Sequence, residues 1–176
     1  MKTKKVAVIG GGAAGFFAAI SVKENHPSHQ VILFEKTSKV LSKVRISGGG
    51  RCNVTHDCSD IPTLCEAYPR GGKKLKSLFY QFSKSDTVDW FESRGIPLKT
   101  EIDGRMFPES NNSQSIIDCL ESEIARLKVT LKLGQTIEQI EQDGRGWKLT
   151  FKDQSYQKFD MVIIARGGSP QITGFD

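Results

Sequence analysis

Lys5-Val6-Ala7-Val8-Ile9-Gly10-Gly11-Gly12-Ala13-Ala14-Gly15 is the stretch whose reading decides the fold. Lys5 to Ile9 is a short, largely β-branched strand, and Ala13 to about Glu24 has helix-forming composition that ends near Asn25 and Pro27. Gln30 to Phe34 is a second apolar strand. Strand, glycine turn, helix and strand within roughly thirty residues make a βαβ unit, which demands a parallel sheet and a right-handed crossover. The fold class is therefore α/β and Rossmann-like.

Gly10-Gly11-Gly12-Ala13-Ala14-Gly15 fits G-x-G-x-x-G, in the strand-to-helix context that makes the pattern informative. Gly10 permits the tight turn, Gly12 lets backbone approach a pyrophosphate, and Gly15 lets helix pack closely on strand. The helix start offers unpaired N–H groups and roughly half a positive charge, so a diphosphate can bind at Gly12, Ala13 and Ala14 without a lysine. Twenty residues beyond Gly15 stands Glu35, at the end of the second strand, where a carboxylate can accept hydrogen bonds from both hydroxyls of an adenosine ribose. A 2′-phosphate there would meet a like charge, worth on the order of 1 to 4 kcal/mol, which disfavours NADP. The plainer reading is a tight turn followed by a solvated glutamate. FAD and NAD share this fingerprint, so its spacing leaves both open.

The surroundings narrow the class. The chain has 176 residues, 38% of them hydrophobic and 26% charged, which suits a compact domain rather than a disordered tail or a membrane protein. The basic start and the uncharged run Val6 to Val22 outline a signal peptide, but the run is too glycine-rich for a membrane helix and lacks a clear cleavage site. A cytoplasmic protein is expected. Cys52, Cys58, Cys65 and Cys119 show neither paired spacing nor disulfide-scaffold density, and His56 beside Cys52 and Cys58 does not make a zinc site. With 25 Lys+Arg against 20 Asp+Glu the net charge is only +5, and Lys73, Lys74 and Lys76 read as the solvated face of a helix. No nucleic-acid partner is expected, since acids such as Asp86, Asp89 and Glu92 follow soon after.

Further along, helices are expected at Lys73 to Ser83, at Thr87 to Ser93 before Gly95 and Pro97, and at Ser113 to Leu127. Strands are expected near Val129 to Leu133, Thr136 to Glu141, Trp147 to Lys152 and Tyr156 to Ile164, with Asp143-Gly144 marking a hairpin. A second glycine-rich loop, Ser47-Gly48-Gly49-Gly50-Arg51-Cys52-Asn53, can wrap backbone amides around a ligand while Arg51 supplies a cationic fork and Asn53 an amide.

Four motifs give the chain a family resemblance: Val8 to Gly15, Lys43 to Asn53 ending in SGGGRCN, Gly104-Arg105-Met106-Phe107-Pro108, and Ile163-Ile164-Ala165-Arg166-Gly167-Gly168. It resembles the bacterial BaiN/RdsA-type NAD(P)/FAD-dependent oxidoreductases, YhiN-like flavoproteins that include aminoacetone-oxidase-like enzymes. The first motif is generic to flavoproteins of two-dinucleotide-binding type; the SGGGRCN and GRMFP segments are close to diagnostic. The resemblance spans the whole chain. It implies FAD extended across a parallel sheet and a three-stranded β crossover formed by the strands after Leu133.

By position, the resemblance assigns Gly10 to Gly15 to the FAD pyrophosphate and Glu35, with Lys36 beside it, to the adenosine ribose. Lys43 and Ser47 to Asn53 go to the middle and flavin side, Ile137 to adenine through its backbone, and Ala165, Arg166 and Gly167 to a second glycine turn near the cofactor. Two departures stand out. Leu41-Ser42-Lys43 replaces the usual Gly-Arg-Lys or Gly-Lys-Lys, and Arg166 stands where the family has Thr. Family members also run considerably longer, adding a substrate domain and a last sheet strand. The expectation is thus one incomplete FAD-binding domain over 1–176 with a helical excursion at about 60–110, ending at Gly174-Phe175-Asp176.

The function implied is hydride transfer between flavin and a small organic substrate. NAD(P)H is a candidate electron donor, although no second G-x-G-x-x-G offers it a site. No catalytic acid or base is assigned; His56 is the one near-neutral titratable group near the loop, and exposure is its plainer reading. Cys52 lacks the paired cysteine of disulfide reductases and reads first as a small packed residue. Trp90, Phe91, Phe79, Tyr80 and Phe82 are aromatic stripes that more often serve a core. The competing class is a nucleotide-binding module with no catalysis of its own.

Overall fold

The computed structural model describes residues 2–58, 60–68 and 71–168. The chain opens with β1 (Lys5–Ile9), α1 (Ala13–Asn25) and β2 (Gln30–Phe34), followed by α2 (Ser42–Gly50), which is kinked at Ser47 to Gly49. Then come β3 (Thr55–His56), α3 (Ile61–Glu66), α4 (Gly72–Phe79), α5 (Lys84–Glu92), β4 (Leu98–Thr100) and β5 (Arg105–Pro108). The last part holds α6 (Ser113–Arg126), β6 (Thr130–Lys132), β7 (Ile137–Asp143), β8 (Gly146–Phe151), β9 (Tyr156–Phe159) and β10 (Met161–Ile164). Two compact units result, residues 1–43 with 120–176, and residues 44–119.

In the first unit a four-stranded sheet runs in the order β10-β1-β2-β6, every neighbouring pair parallel. Val6 to Ile9 and Val31 to Phe34 are all buried, because a parallel sheet is covered on both faces and alternation disappears. On one face Leu33 meets the close approach of α1 at Gly15. The other face presents Ala7, Ile9, Ile32 and Phe34 to Leu149, Phe151 and Phe159 of the antiparallel meander β7-β8-β9. Phe34 is the centre of that contact, 5.4 Å from the Phe151 ring and edge-on to Phe159 at 5.8 Å.

The meander supplies the three-stranded crossover, with Gly144 at φ +60° in a two-residue turn between Asp143 and Gly146. The single strand expected over Tyr156 to Ile164 is divided at Asp160. Its N–H donates to Lys5 O at 2.9 Å and its carboxylate accepts from Lys5 N–H at 2.7 Å, pinning the chain where it leaves the meander for the parallel sheet.

In the second unit, α4 begins at Gly72 and stops at Phe79, short of the expected Ser83. Helix α5 starts three residues earlier than expected, because Ser83 and Asp86 form a reciprocal capping box. The sheet β3-β5-β4 and helix α3, capped by Asp60 through Thr63 N–H, were not expected. Strands of two to four residues carry no readable period. Among the described residues no helix is long and apolar enough to cross a membrane.

Phe34→Ala is expected to cost about 3 to 5 kcal/mol, since it empties the junction between meander and parallel sheet. Urea unfolding measures it; a loss below about 1 kcal/mol would show that the two layers do not depend on this ring.

Candidate dinucleotide-binding site

The glycine turn is forced by two separate crowdings. Gly10 sits at φ +114°, and a Cβ there would strike the Ala165 carbonyl oxygen, where the end of β10 lies against the turn. A Cβ on Gly15 would overlap the Gly10 carbonyl oxygen. These two glycines serve the fold. Gly12 differs: it is exposed, its backbone (φ −91°, ψ −176°) suits any residue, and a Cβ there would meet nothing within 4 Å. The chain itself does not require glycine at this position, so the open approach beside the helix start fits a ligand that needs close backbone contact.

Ala13 and Ala14 are exposed as well, and their first-turn N–H groups have no hydrogen-bond partner among the described residues. No side chain caps α1 and no acidic residue lies in its first turn. The helix therefore presents unsatisfied donors and the positive end of its dipole to whatever occupies that space.

Glu35 follows β2 and turns back to the glycine loop. Its carboxylate accepts from Gly11 N–H at 2.8 Å, and from the Thr37 N–H and hydroxyl at 2.9 Å each. Partial burial acts to raise its pKa, but the hydrogen bonds from Gly11 and Thr37, with Lys36 nearby, outweigh it and hold the carboxyl below its ordinary value. A carboxylate has about four acceptor positions, so room remains for a ribose hydroxyl. The main chain around Glu35 is tied to the entrance of the meander: Glu35 N–H donates to Lys132 O and Gln135 N–H to Glu35 O, both at 2.9 Å. This brings Gln135, two residues before Ile137, beside the carboxylate's own backbone, and Ile137 packs partly buried on the Phe34 cluster.

The fourth motif joins the same region. Ala165 N–H donates to Ile9 O at 2.8 Å, Gly167 adopts φ +68°, and the Lys43 ammonium donates to Gly168 O at 2.6 Å. Arg166 and Lys36 are exposed. Gly11, Thr37 and Val40 were not singled out in the sequence, yet Gly11 and Thr37 orient Glu35, and Val40 closes over Gly11. Glu-x-Thr sets a hydroxyl two residues after the carboxylate, a pattern too common to rank Thr37 above its neighbours, and Gly11 and Val40 carry no local signal.

Within the second unit the SGGGRCN and GRMFP segments build one another. Gly48 (φ +55°) packs on the buried Phe107 ring, which also carries the Arg51 guanidinium at 4.0 Å. Arg51 is ion-paired with Glu101, so its fork is engaged locally. Ser47 O accepts from Cys52 N–H at 3.0 Å. Oriented to suit its neighbours, the Asn53 amide nitrogen lies 2.9 Å from Thr55 O and 3.2 Å from Met106 O. Cys52 is buried at φ +64°, and burial pushes its thiol pKa up, partly offset by Ser47. Gly49 is exposed with open space at its Cβ position, and Gly50 is half-buried at φ +86°. His56 is exposed, its Nε2 3.0 Å from Asp103 O and its ring over Gly104.

Residues 4–174 match the family model described as HI0933-like protein Rossmann domain. A 3-dehydro-bile acid delta(4,6)-reductase of Clostridium scindens is 29% identical over 164 residues, 93% of this chain and 39% of that protein. A ribosomal RNA dihydrouridine synthase of Escherichia coli is 28% identical over 161 residues, 92% of this chain and 38% of that protein. The open conformation of a flavocytochrome c3 fumarate reductase superposes with a TM-score of 0.66 at 23% identity, over 95% of this chain and 34% of that one, a likeness of fold. The chain spans about two fifths of the length of these curated relatives.

The two kinds of glycine separate experimentally. Gly15→Ala is expected to destabilise the chain by about 3 kcal/mol or more through overlap with Gly10, and Gly12→Ala by less than about 1 kcal/mol. Thermal melts of both variants check this, and equal losses would contradict the distinction. Because the folded pKa of Glu35 is depressed, its stabilisation is present above the ordinary carboxylate range and is lost as pH falls through the lowered value. Glu35→Gln should therefore flatten the acid limb of the stability curve; an unchanged limb would contradict the assigned hydrogen bonds.

Proposed function

The chain belongs to the HI0933-like Rossmann-domain family, the BaiN/RdsA-type oxidoreductases its motifs resemble, and from that premise we propose that it is the FAD-binding portion of a flavin-dependent oxidoreductase. The observation that carries the cofactor reading is the unforced glycine at Gly12, open beside the donors of α1, with the Glu35 carboxylate held at the neighbouring Gly11 N–H. In this reading Gly12, Ala13 and Ala14 receive the diphosphate and Glu35 the adenosine ribose, while the backbone at Ile137 meets adenine. Lys43 and Ala165 to Gly167 border the diphosphate. The loop Ser47 to Asn53 carries the family motif, and within its own unit it leaves the position at Gly49 open.

Bound flavin would supply the hydride chemistry, and the residues of this chain bind and orient it. Glu35 disfavours a 2′-phosphate by like charge, which favours FAD over NADP at this site. The relative named as a reductase supports redox chemistry, and the ribosomal RNA dihydrouridine synthase stands against the expectation of no nucleic-acid partner and widens the substrate class beyond the small organic molecule that the resemblance implied. NAD(P)H is a candidate electron donor on the family resemblance alone.

Adding FAD to the ligand-free chain is expected to raise its melting temperature with concentration, following RT ln(1 + [L]/Kd). Gly12→Val should abolish that rise while its ligand-free melting point stays close to that of the parent. A rise retained in Gly12→Val would overturn the placement of the diphosphate.

A further inference from the structure

Arg166 sets a cation beside the glycine turn, at a position where the family resemblance implies threonine. The loop Gly10 to Gly15 contains no basic residue, and the side chain that reaches it, Glu35, is an anion. A diphosphate brings about two negative charges, and the dipole of α1 offsets roughly half of one. The Lys43 ammonium at the border of the diphosphate is engaged by Gly168 O at 2.6 Å, so a further cation is called for.

Arg166 is rooted where such a charge is needed. Its Cα would lie 3.1 Å from a Cβ built on Gly10, closer than an ordinary side-chain contact. The turn that carries it is clamped on both sides: before it, Ala165 N–H donates to Ile9 O at 2.8 Å, and after it, Gly168 O accepts from the Lys43 ammonium at 2.6 Å. The arginine's backbone is thus held against the glycine turn while its side chain is exposed. A guanidinium carries a planar fork of donors matched to phosphate oxygens, which the threonine expected at this position lacks.

We propose that Arg166 is the counter-ion of the dinucleotide diphosphate, a binding residue that replaces a neutral family position with charge. The inference rests on the FAD reading above. It deepens that reading by making this chain's affinity depend on phosphate charge and on ionic strength. Adenosine, which has no phosphate, is indifferent to it.

Calorimetric titration of the chain with ADP and with adenosine tests it, using the parent, Arg166→Thr, Arg166→Lys and Glu35→Gln. Arg166→Thr is expected to weaken ADP about ten- to a hundredfold and leave adenosine within about twofold, with a shallower salt dependence. Arg166→Lys should recover part of the loss, since it keeps the charge but not the fork. Parent-like ADP affinity in Arg166→Thr would overturn the assignment, as would an equal loss for ADP and adenosine, which signals a displaced turn. Should the parent bind neither ligand, or Glu35→Gln leave both affinities untouched, the site reading itself fails and Arg166 falls with it.

Discussion

The hydrogen bond from Gly11 N–H to the Glu35 carboxylate couples two things that a βαβ unit otherwise leaves separate: the start of the helix and the end of the next strand. It is made across a turn that has no room for a side chain at Gly10, Gly11 or Gly15. The end of β10 presses on Gly10, and α1 presses its own first turn on the Gly10 carbonyl. Those two approaches fix the direction of α1, leave its first N–H groups pointing outward, and bring a carboxylate within reach of them. Partial burial, which would raise the pKa of this carboxyl, is overcome by donors from Gly11 and Thr37, so the group stays ionised and can accept from a sugar.

The layers behind the turn explain its rigidity. Both faces of the parallel sheet are covered, one by α1 and the other by the meander through Phe34, Phe151 and Phe159. Gln135, at the entry to the meander, bonds to the main chain of Glu35, so the crossover that completes the core also braces the strand end bearing the carboxylate. A close-packed interior of this kind transmits little slack to the loop it supports.

Much of this was legible in the sequence. The run Lys5 to Gly15, the strand Gln30 to Phe34 and the hairpin at Asp143-Gly144 follow from periodicity and turn chemistry; the two strands keep their expected bounds, while the hairpin's strands extend closer to the turn than expected, to Asp143 and from Gly146. The division at Asp160 was not legible, since it depends on two hydrogen bonds to Lys5, 155 residues earlier in the chain. Nor could Thr37 and Gly11 be ranked above their neighbours, because their roles arise from where a carboxylate turns rather than from composition. In the second unit the sequence marked SGGGRCN and GRMFP as separate motifs. The structure shows them to be one assembly, with Phe107 beneath Gly48 and Arg51.

The role proposed for the exposed start of α1 is to receive a diphosphate. Amide chemical shifts of the ¹⁵N-labelled chain during titration with ADP test it most directly. Saturable shifts are expected that are largest at Gly12, Ala13 and Ala14, accompanied by a change at Gly11 as the Glu35 bond adjusts. Saturable binding that leaves those four amides unmoved, or an absence of binding at millimolar ADP, would contradict it.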